Sequence, residues 1–157
     1  MRVNLDGATR ELKTVWLEDG LVKMIDQRYL PFEFRIYEAK NPEDVAVAIE
    51  DMVVRGAPAI GATAAYGMAQ AHQQGADLKA TAERFRKTRP TGHDLFFAID
   101  FMIQSAAGGE DLIAAAGRYA QEEIERCRKI GEHGAKLIRT GSRILTHCNA
   151  GALATVD

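Results

Sequence analysis

The sequence predicts an α/β protein: a small N-terminal antiparallel sheet, a helical domain, and the first strand of a further α/β domain. Three observations predict it. Short apolar runs of strand length fill the region before residue 41, apolar residues at helical spacing dominate up to about residue 140, and a strand-like run returns after Gly141. The expected boundaries are therefore 1–40, 41–140 and 141–157. A lone strand needs partners for its backbone groups, so the last segment reads as the beginning of a domain that continues outside this sequence.

Taking the elements in order, Lys13 to Ala39 contains KTVWL, the turn-like Glu18-Asp19-Gly20, LVKMI, and FRIYEA after Pro31. Alternating runs around such a turn predict antiparallel strands. Asn41-Pro42-Glu43-Asp44 supplies an N-cap, a proline at the first helical position and two acids in the first turn. Ala57 to about His72 is a second helix crowded with Ala and Gly; Gly61 and Gly67 mark places where another backbone or a ligand approaches closely, and helix packing alone accounts for Gly67. Asp77 to Thr88 forms a charged third helix. Thr91 with Asp94 resembles a capping box for a fourth, very apolar helix that ends at Gly108-Gly109. A long fifth helix is expected from Glu110 to about Thr140, its buried stripe running from Ile113 through Ala116, Ala120, Ile124 and Cys127 to Ile138. Arg143 to Cys148 then reads as a strand, and Asn149 to Ala152 as a small-residue turn.

Composition narrows the function. In 157 residues, 46% are hydrophobic and 27% charged, the usage of a folded globular chain. Twenty Lys and Arg against 22 Asp and Glu give a net charge of −2, a balance that argues against nucleic-acid binding and leaves room for a local anion site. Cys127 and Cys148 are too few for a disulfide framework and lack metal or redox spacing, which suits a reducing, cytoplasmic setting. Charges interrupt every apolar run near the N-terminus, so neither a secretion signal nor a membrane span is expected. No metal-ligand spacing, GxGxxG or P-loop occurs.

The most informative stretch is Val54-Arg55-Gly56-Ala57-Pro58-Ala59-Ile60-Gly61. Free N–H groups at a helix start carry partial positive charge, and an arginine beside them adds repulsion that a bound phosphate or carboxylate relieves. The competing account is a solvated Arg55 and a Gly56 that only serves a turn. Arg89-Pro90-Thr91 repeats the arrangement at the next apolar helix, and two such sites could grip one phosphorylated ligand. Arg84, Arg86 and Lys87 are instead read as cations at the end of the third helix, where the dipole favours them. Cys148 is expected at the C-terminal end of a strand, where open α/β sheets present reactive groups and where amides and cations activate a thiol. The alternative is a small apolar residue packed in that strand. Cys127 is read as core, His147 as facing away from Cys148, His72 and His133 as surface residues, and His93 as a surface residue with a speculative ligand contact near Arg89.

Several ordered blocks then carry a resemblance: VKMIDQRYLP from Val22, RGAPAIG from Arg55, TRPT from Thr88, RKIGEHGA from Arg128 and ILTHCNAGALAT from Ile144. Together they resemble the methylthioribose-1-phosphate isomerase family, which shares a superfamily with the regulatory subunits of translation initiation factor 2B. The resemblance covers the supplied chain but only the N-terminal part of such an enzyme, whose Rossmann-like domain follows. It implies an aldose–ketose isomerase of methionine salvage that converts 5-methylthioribose 1-phosphate to 5-methylthioribulose 1-phosphate, without cofactor or metal, by a phosphate-bearing enediol or a hydride shift. It further implies a cytoplasmic homodimer. Carried over by motif, Arg55, Gly56, Ala57 and Arg89 bind substrate and Cys148 is catalytic. The remaining catalytic residues belong to the later domain, so these 157 residues alone are expected to be inactive. TGHDLFF stands where the family pattern is closer to TAVNLFW, and Cys127 where Asn is usual. Ribose-1,5-bisphosphate isomerase, a non-catalytic regulatory subunit and a simple interaction module are the alternatives.

Overall fold

The computed structural model describes residues 1–5 and 7–157. Among the described residues, strands come first and helices follow, as the apolar periodicity predicts. Strands β1 (Arg2–Leu5) and β2 (Ala8–Glu11) form an antiparallel hairpin that the sequence analysis does not anticipate. Its side chains are largely exposed, so the apolar alternation is weak; the Asp-Gly dipeptide at 6–7 is the signal that was available.

The second sheet follows the prediction. Strand β4 (Leu21–Ile25) lies between β3 (Val15–Glu18) and β5 (Ile36–Ala39), with both pairings antiparallel. Glu18 pairs with Leu21 across Asp19 and Gly20, whose φ values of 52° and 76° are the two left-handed conformations a two-residue hairpin needs to match strand twist. Val15, Val22, Met24 and Ile25 are fully buried and turn this sheet onto the helices.

Helix α1 (Pro42–Glu50) starts where Asn41 Oδ1 accepts the Asp44 N–H at 2.9 Å, the predicted cap. Helix α2 (Ala57–Gln73) is the axis of the molecule, touching α1, α3 (Leu78–Arg86), α4 (His93–Ala107), α5 (Leu112–Ala135) and the three-stranded sheet. Its small residues permit that. A Cβ on Gly67 would lie 2.8 Å from the Phe85 ring and from Val45, and one on Gly61 would lie 2.6 Å from Tyr119 Oη and 3.0 Å from the Asp94 carbonyl oxygen. The close approach at both glycines is therefore protein packing.

Three expectations are corrected. The Thr91–Asp94 capping box does not form: α4 begins at His93 behind Gly92, and no side chain caps it. The fifth helix ends at Ala135, and its buried face stops at Glu123; of the expected stripe, Ile113 and Ile138 are 44% and 51% exposed. Only its first half lies against α2 and α4, so Cys127 is half-buried rather than core; burial, with the Glu123 charge nearby, pushes its thiol up. The strand expected over 143–148 does not form either. None of the described strands runs beside it, and Leu145 is 97% exposed.

Beyond that segment the chain folds back. A short 3-10 turn (Ala152–Ala154) docks against the start of β3: Thr14 donates from its N–H to Val156 O at 2.9 Å and from Oγ1 to Ala152 O at 2.7 Å. Cys148 consequently sits in an irregular turn with φ 62°, not at a strand end.

Candidate functional site: a cavity between two uncapped helix starts

Three helices have side-chain caps: Asn41 on α1, Asp77 on α3 and Asp111 on α5. The other two, α2 and α4, start behind glycines, Gly56 and Gly92, whose lack of a side chain leaves the first-turn N–H groups open. Both open starts face the same cavity of about 350 Å³. Arg55, Gly56, Ala57, Arg89 and Cys148, which come from three distant stretches of sequence, all line it.

Each wall has a local cause. Gly56 holds φ 102°, which an L side chain rarely adopts, and a Cβ there would lie 2.3 Å from Ala154 O. That close fit brings the α2 start and the returning chain together. Arg55 donates from Nη2 to Gln27 O at 3.2 Å, while its Nε is buried without a partner. On the opposite wall the Gly92 N–H donates to Arg89 O at 2.9 Å, closing a tight turn through Pro90 and Thr91 that sets Arg89 beside the start of α4. The Arg89 side chain makes no hydrogen bond or ion pair among the described residues. Cys148 is exposed on the rim with Asn149.

The cavity also contains residues that sequence reasoning missed. Met52 supplies apolar surface, backed by the buried Ile60 and Leu95, and Asp94, which the sequence already places close to Arg89, adds a carboxylate. Met52 has φ 57°, a left-handed turn just after α1 that no sequence signal marked. His93 reaches the cavity too, with its side chain 90% exposed and Nδ1 3.6 Å from Asp94 Oδ1. Behind this wall the Tyr119 phenol packs on Gly61; burial, reinforced by the charges of Glu123 and Asp94, pushes its pKa up and keeps it protonated.

The remaining cations stand apart, as the sequence suggests. Arg84 bridges Glu43 and Glu50 at 2.7 and 2.6 Å, and Arg86 pairs with Asp100 at 2.5 Å. His147 does not line the cavity, and Cys127 lies in the buried-to-exposed transition of α5. Among the described residues no helix is long and apolar enough to cross a membrane, and no cluster of three or more His, Cys, Asp and Glu is arranged to hold a metal ion.

Chemically, the cavity joins two guanidinium groups, two sets of unpaired amides, a thiol and an apolar patch. Such a wall suits an anion that carries an uncharged, partly apolar body.

Known proteins are similar to this chain. The model of the Initiation factor 2 subunit family matches residues 53–156. Methylthioribose-1-phosphate isomerase of Thermotoga neapolitana is 45% identical over 162 residues, covering 94% of this chain and 47% of the relative. Among solved structures, 5-methylthioribose 1-phosphate isomerase from Pyrococcus horikoshii superposes with a TM-score of 0.82 at 36% identity, over 94% of this chain and 46% of that one. The delta subunit of translation initiation factor eIF-2B from A. fulgidus gives 0.74 at 40% identity, over 94% and 48%. The chain thus spans about half the length of the relatives it matches.

Proposed function

The chain belongs to the Initiation factor 2 subunit family, and we propose that it is the N-terminal part of a 5-methylthioribose-1-phosphate isomerase. The observation that carries this reading is the single cavity shared by Arg55, Arg89, two uncapped helix starts and Cys148. The relatives' names supply the substrate class.

In this reading the substrate phosphate lies between Arg55 and Arg89, and the amide at Ala57 completes its hydrogen bonds. Pro58 has no N–H, so it withholds none from the helix ladder. The ribose then extends toward Cys148. Conversion of the aldose 1-phosphate to the ketose moves the C2 hydrogen to C1 as the bond from C1 to the ring oxygen breaks, and passes the 2-hydroxyl proton to that freed oxygen; the overall oxidation level is unchanged, so no external oxidant is consumed. The thiol beside the reacting carbons acts in that transfer, together with residues of the later domain. The exposed Met52, backed by the buried Ile60 and Leu95, favours a methylthio end over a second phosphate, which would call for more cations. That apolar wall is the reason to prefer this substrate to ribose 1,5-bisphosphate. Arg55, Arg89 and Cys148 in one place are the reason to prefer catalysis to a purely assembling role.

The reading includes the three-part division at residues 40 and 140, with 141–157 leading into a Rossmann-like domain, and a cytoplasmic homodimer. Turnover of the full-length protein with 5-methylthioribose 1-phosphate and with ribose 1,5-bisphosphate tests it. Cys148→Ser should lose turnover while retaining binding, and Arg55→Ala should weaken binding. Wild-type rates in both variants would overturn the assignment.

A further inference from the structure

One sequence block, VKMIDQRYLP, is distinctive yet contributes no residue to the cavity wall. Its Gln27 is 4% exposed, and three hydrogen bonds leave it in three directions. Its N–H donates to Val53 O at 2.9 Å, its own carbonyl oxygen accepts from Arg55 Nη2 at 3.2 Å, and its Nε2 donates to Leu153 O at 2.7 Å. These partners belong to the two separate stretches that meet at Gly56 and Ala154 and that also carry Arg55 and Cys148.

We propose that Gln27 is a positioning residue that fixes the Arg55 guanidinium relative to the Cys148-bearing segment. The inference rests on the reading of the cavity as a sugar-phosphate site. The Arg55 guanidinium makes no other hydrogen bond among the described residues, so the Gln27 carbonyl sets its direction. The Gln27 main chain is anchored by its N–H bond to Val53 O, and its side chain ties the same residue to Leu153 O on the Cys148-bearing segment. The flanking backbone is stiff: the Asp26 N–H donates to Arg35 O at 2.9 Å, and the Asp26 carboxylate takes both the Arg28 N–H and the Arg28 guanidinium. Loss of the Nε2 donor would leave Leu153 O unpaired and allow both walls to shift, and a misplacement near 1 Å can cost up to about 10²-fold.

The test uses the full-length protein with Gln27→Met, Gln27→Glu and Arg55→Ala. Three quantities are measured: KM and kcat for 5-methylthioribose 1-phosphate, the affinity for inorganic phosphate by calorimetry, and the thermal midpoint. Gln27→Met should raise KM and the phosphate Kd about tenfold. A merely structural role would lower the active fraction, and so apparent kcat, with KM unchanged. In the Arg55→Ala background the same substitution should change KM less than twofold, because the group it aims is gone.

Gln27→Glu gives a second route should the methionine variant fold poorly. The introduced carboxyl, when protonated, can still donate to Leu153 O; when ionised, it repels that oxygen and competes for Arg55. Its KM relative to wild type should therefore climb as pH rises through the carboxyl range. Phosphate affinity and KM within twofold of wild type in folded variants, or an equal Gln27→Met effect with and without Arg55, would overturn the positioning role. If wild type ignores 5-methylthioribose 1-phosphate but binds inorganic phosphate, the functional reading falls and the phosphate series alone decides on Gln27. If it binds neither, both fall.

Discussion

Replacing Gly56 with alanine is the sharpest perturbation available, because two independent penalties meet at one atom. The backbone at φ 102° lies where a Cβ is strained, at about 1–3 kcal/mol. The added methyl would also sit 2.3, 2.5 and 2.6 Å from the carbonyl oxygen, Cα and Cβ of Ala154, and overpacking of this kind costs about 1–3 kcal/mol. Two of those three atoms are backbone, in a segment tethered by Thr14 and Gln27, so it cannot simply swing aside. Together the terms come to about 2–6 kcal/mol, a large part of the roughly 5–15 kcal/mol that holds a domain folded.

Gly75→Ala is the control. It has φ 72° and nothing within 4 Å, so it meets strain alone, about 1–2 kcal/mol. Urea denaturation of both variants, followed by circular dichroism and paired with phosphate affinity, separates the two penalties. Gly56→Ala should be the less stable of the two by about 1–3 kcal/mol and should bind phosphate more weakly. Equal stabilities would refute the claim that contact with Ala154 organises the cavity.

Two further outcomes follow from the packing and the charges. Gly67→Ala should destabilise by about 1–3 kcal/mol, because its methyl meets Phe85 and Val45 at 2.8 Å, whereas Gly117→Ala, with nothing within 4 Å, should stabilise by about 0.5–1 kcal/mol; thermal midpoints decide. Burial pushes the Asp26 carboxyl up, but hydrogen bonds and charge from Arg28 outweigh it and hold the folded group below its ordinary 3.8. A depressed folded value means stability that is present above 3.8 and lost as pH falls through the folded value, so Asp26→Asn should flatten the loss of stability below about pH 4 in an acid denaturation series.

The parts of the fold legible in the sequence were those that depend on local pattern. Alternation around Asp19-Gly20 marked β3 and β4, and Asn41-Pro42 marked the start of α1. Arg55 and Arg89 stood out for the same reason, because an arginine beside a helix start is visible without knowing what faces it. What failed depended on neighbours. Residues 143–148 alternate like a strand, yet pairing is a property of two segments, and none of the described strands lies alongside. The stripe of α5 keeps its period past Cys127, but its burial ends where α2 and α4 no longer reach. Met52 entered the cavity only because remote stretches converge there. Gln27 was invisible as well, since its importance lies in two main-chain carbonyls, its own and that of Leu153.

The tight turn from Arg89 to Gly92 forms one side of the cavity almost by itself. Thr91 and His93 are exposed, whereas a Cβ on Gly92 between them would press on the Arg89 carbonyl oxygen at 3.3 Å. The opposite side is wedged against the returning chain. Tolerance to change is thus divided unequally around one opening: the Arg55 side is frozen by its scaffold, while Thr91 and His93 are free to drift in sequence around a fixed Gly92.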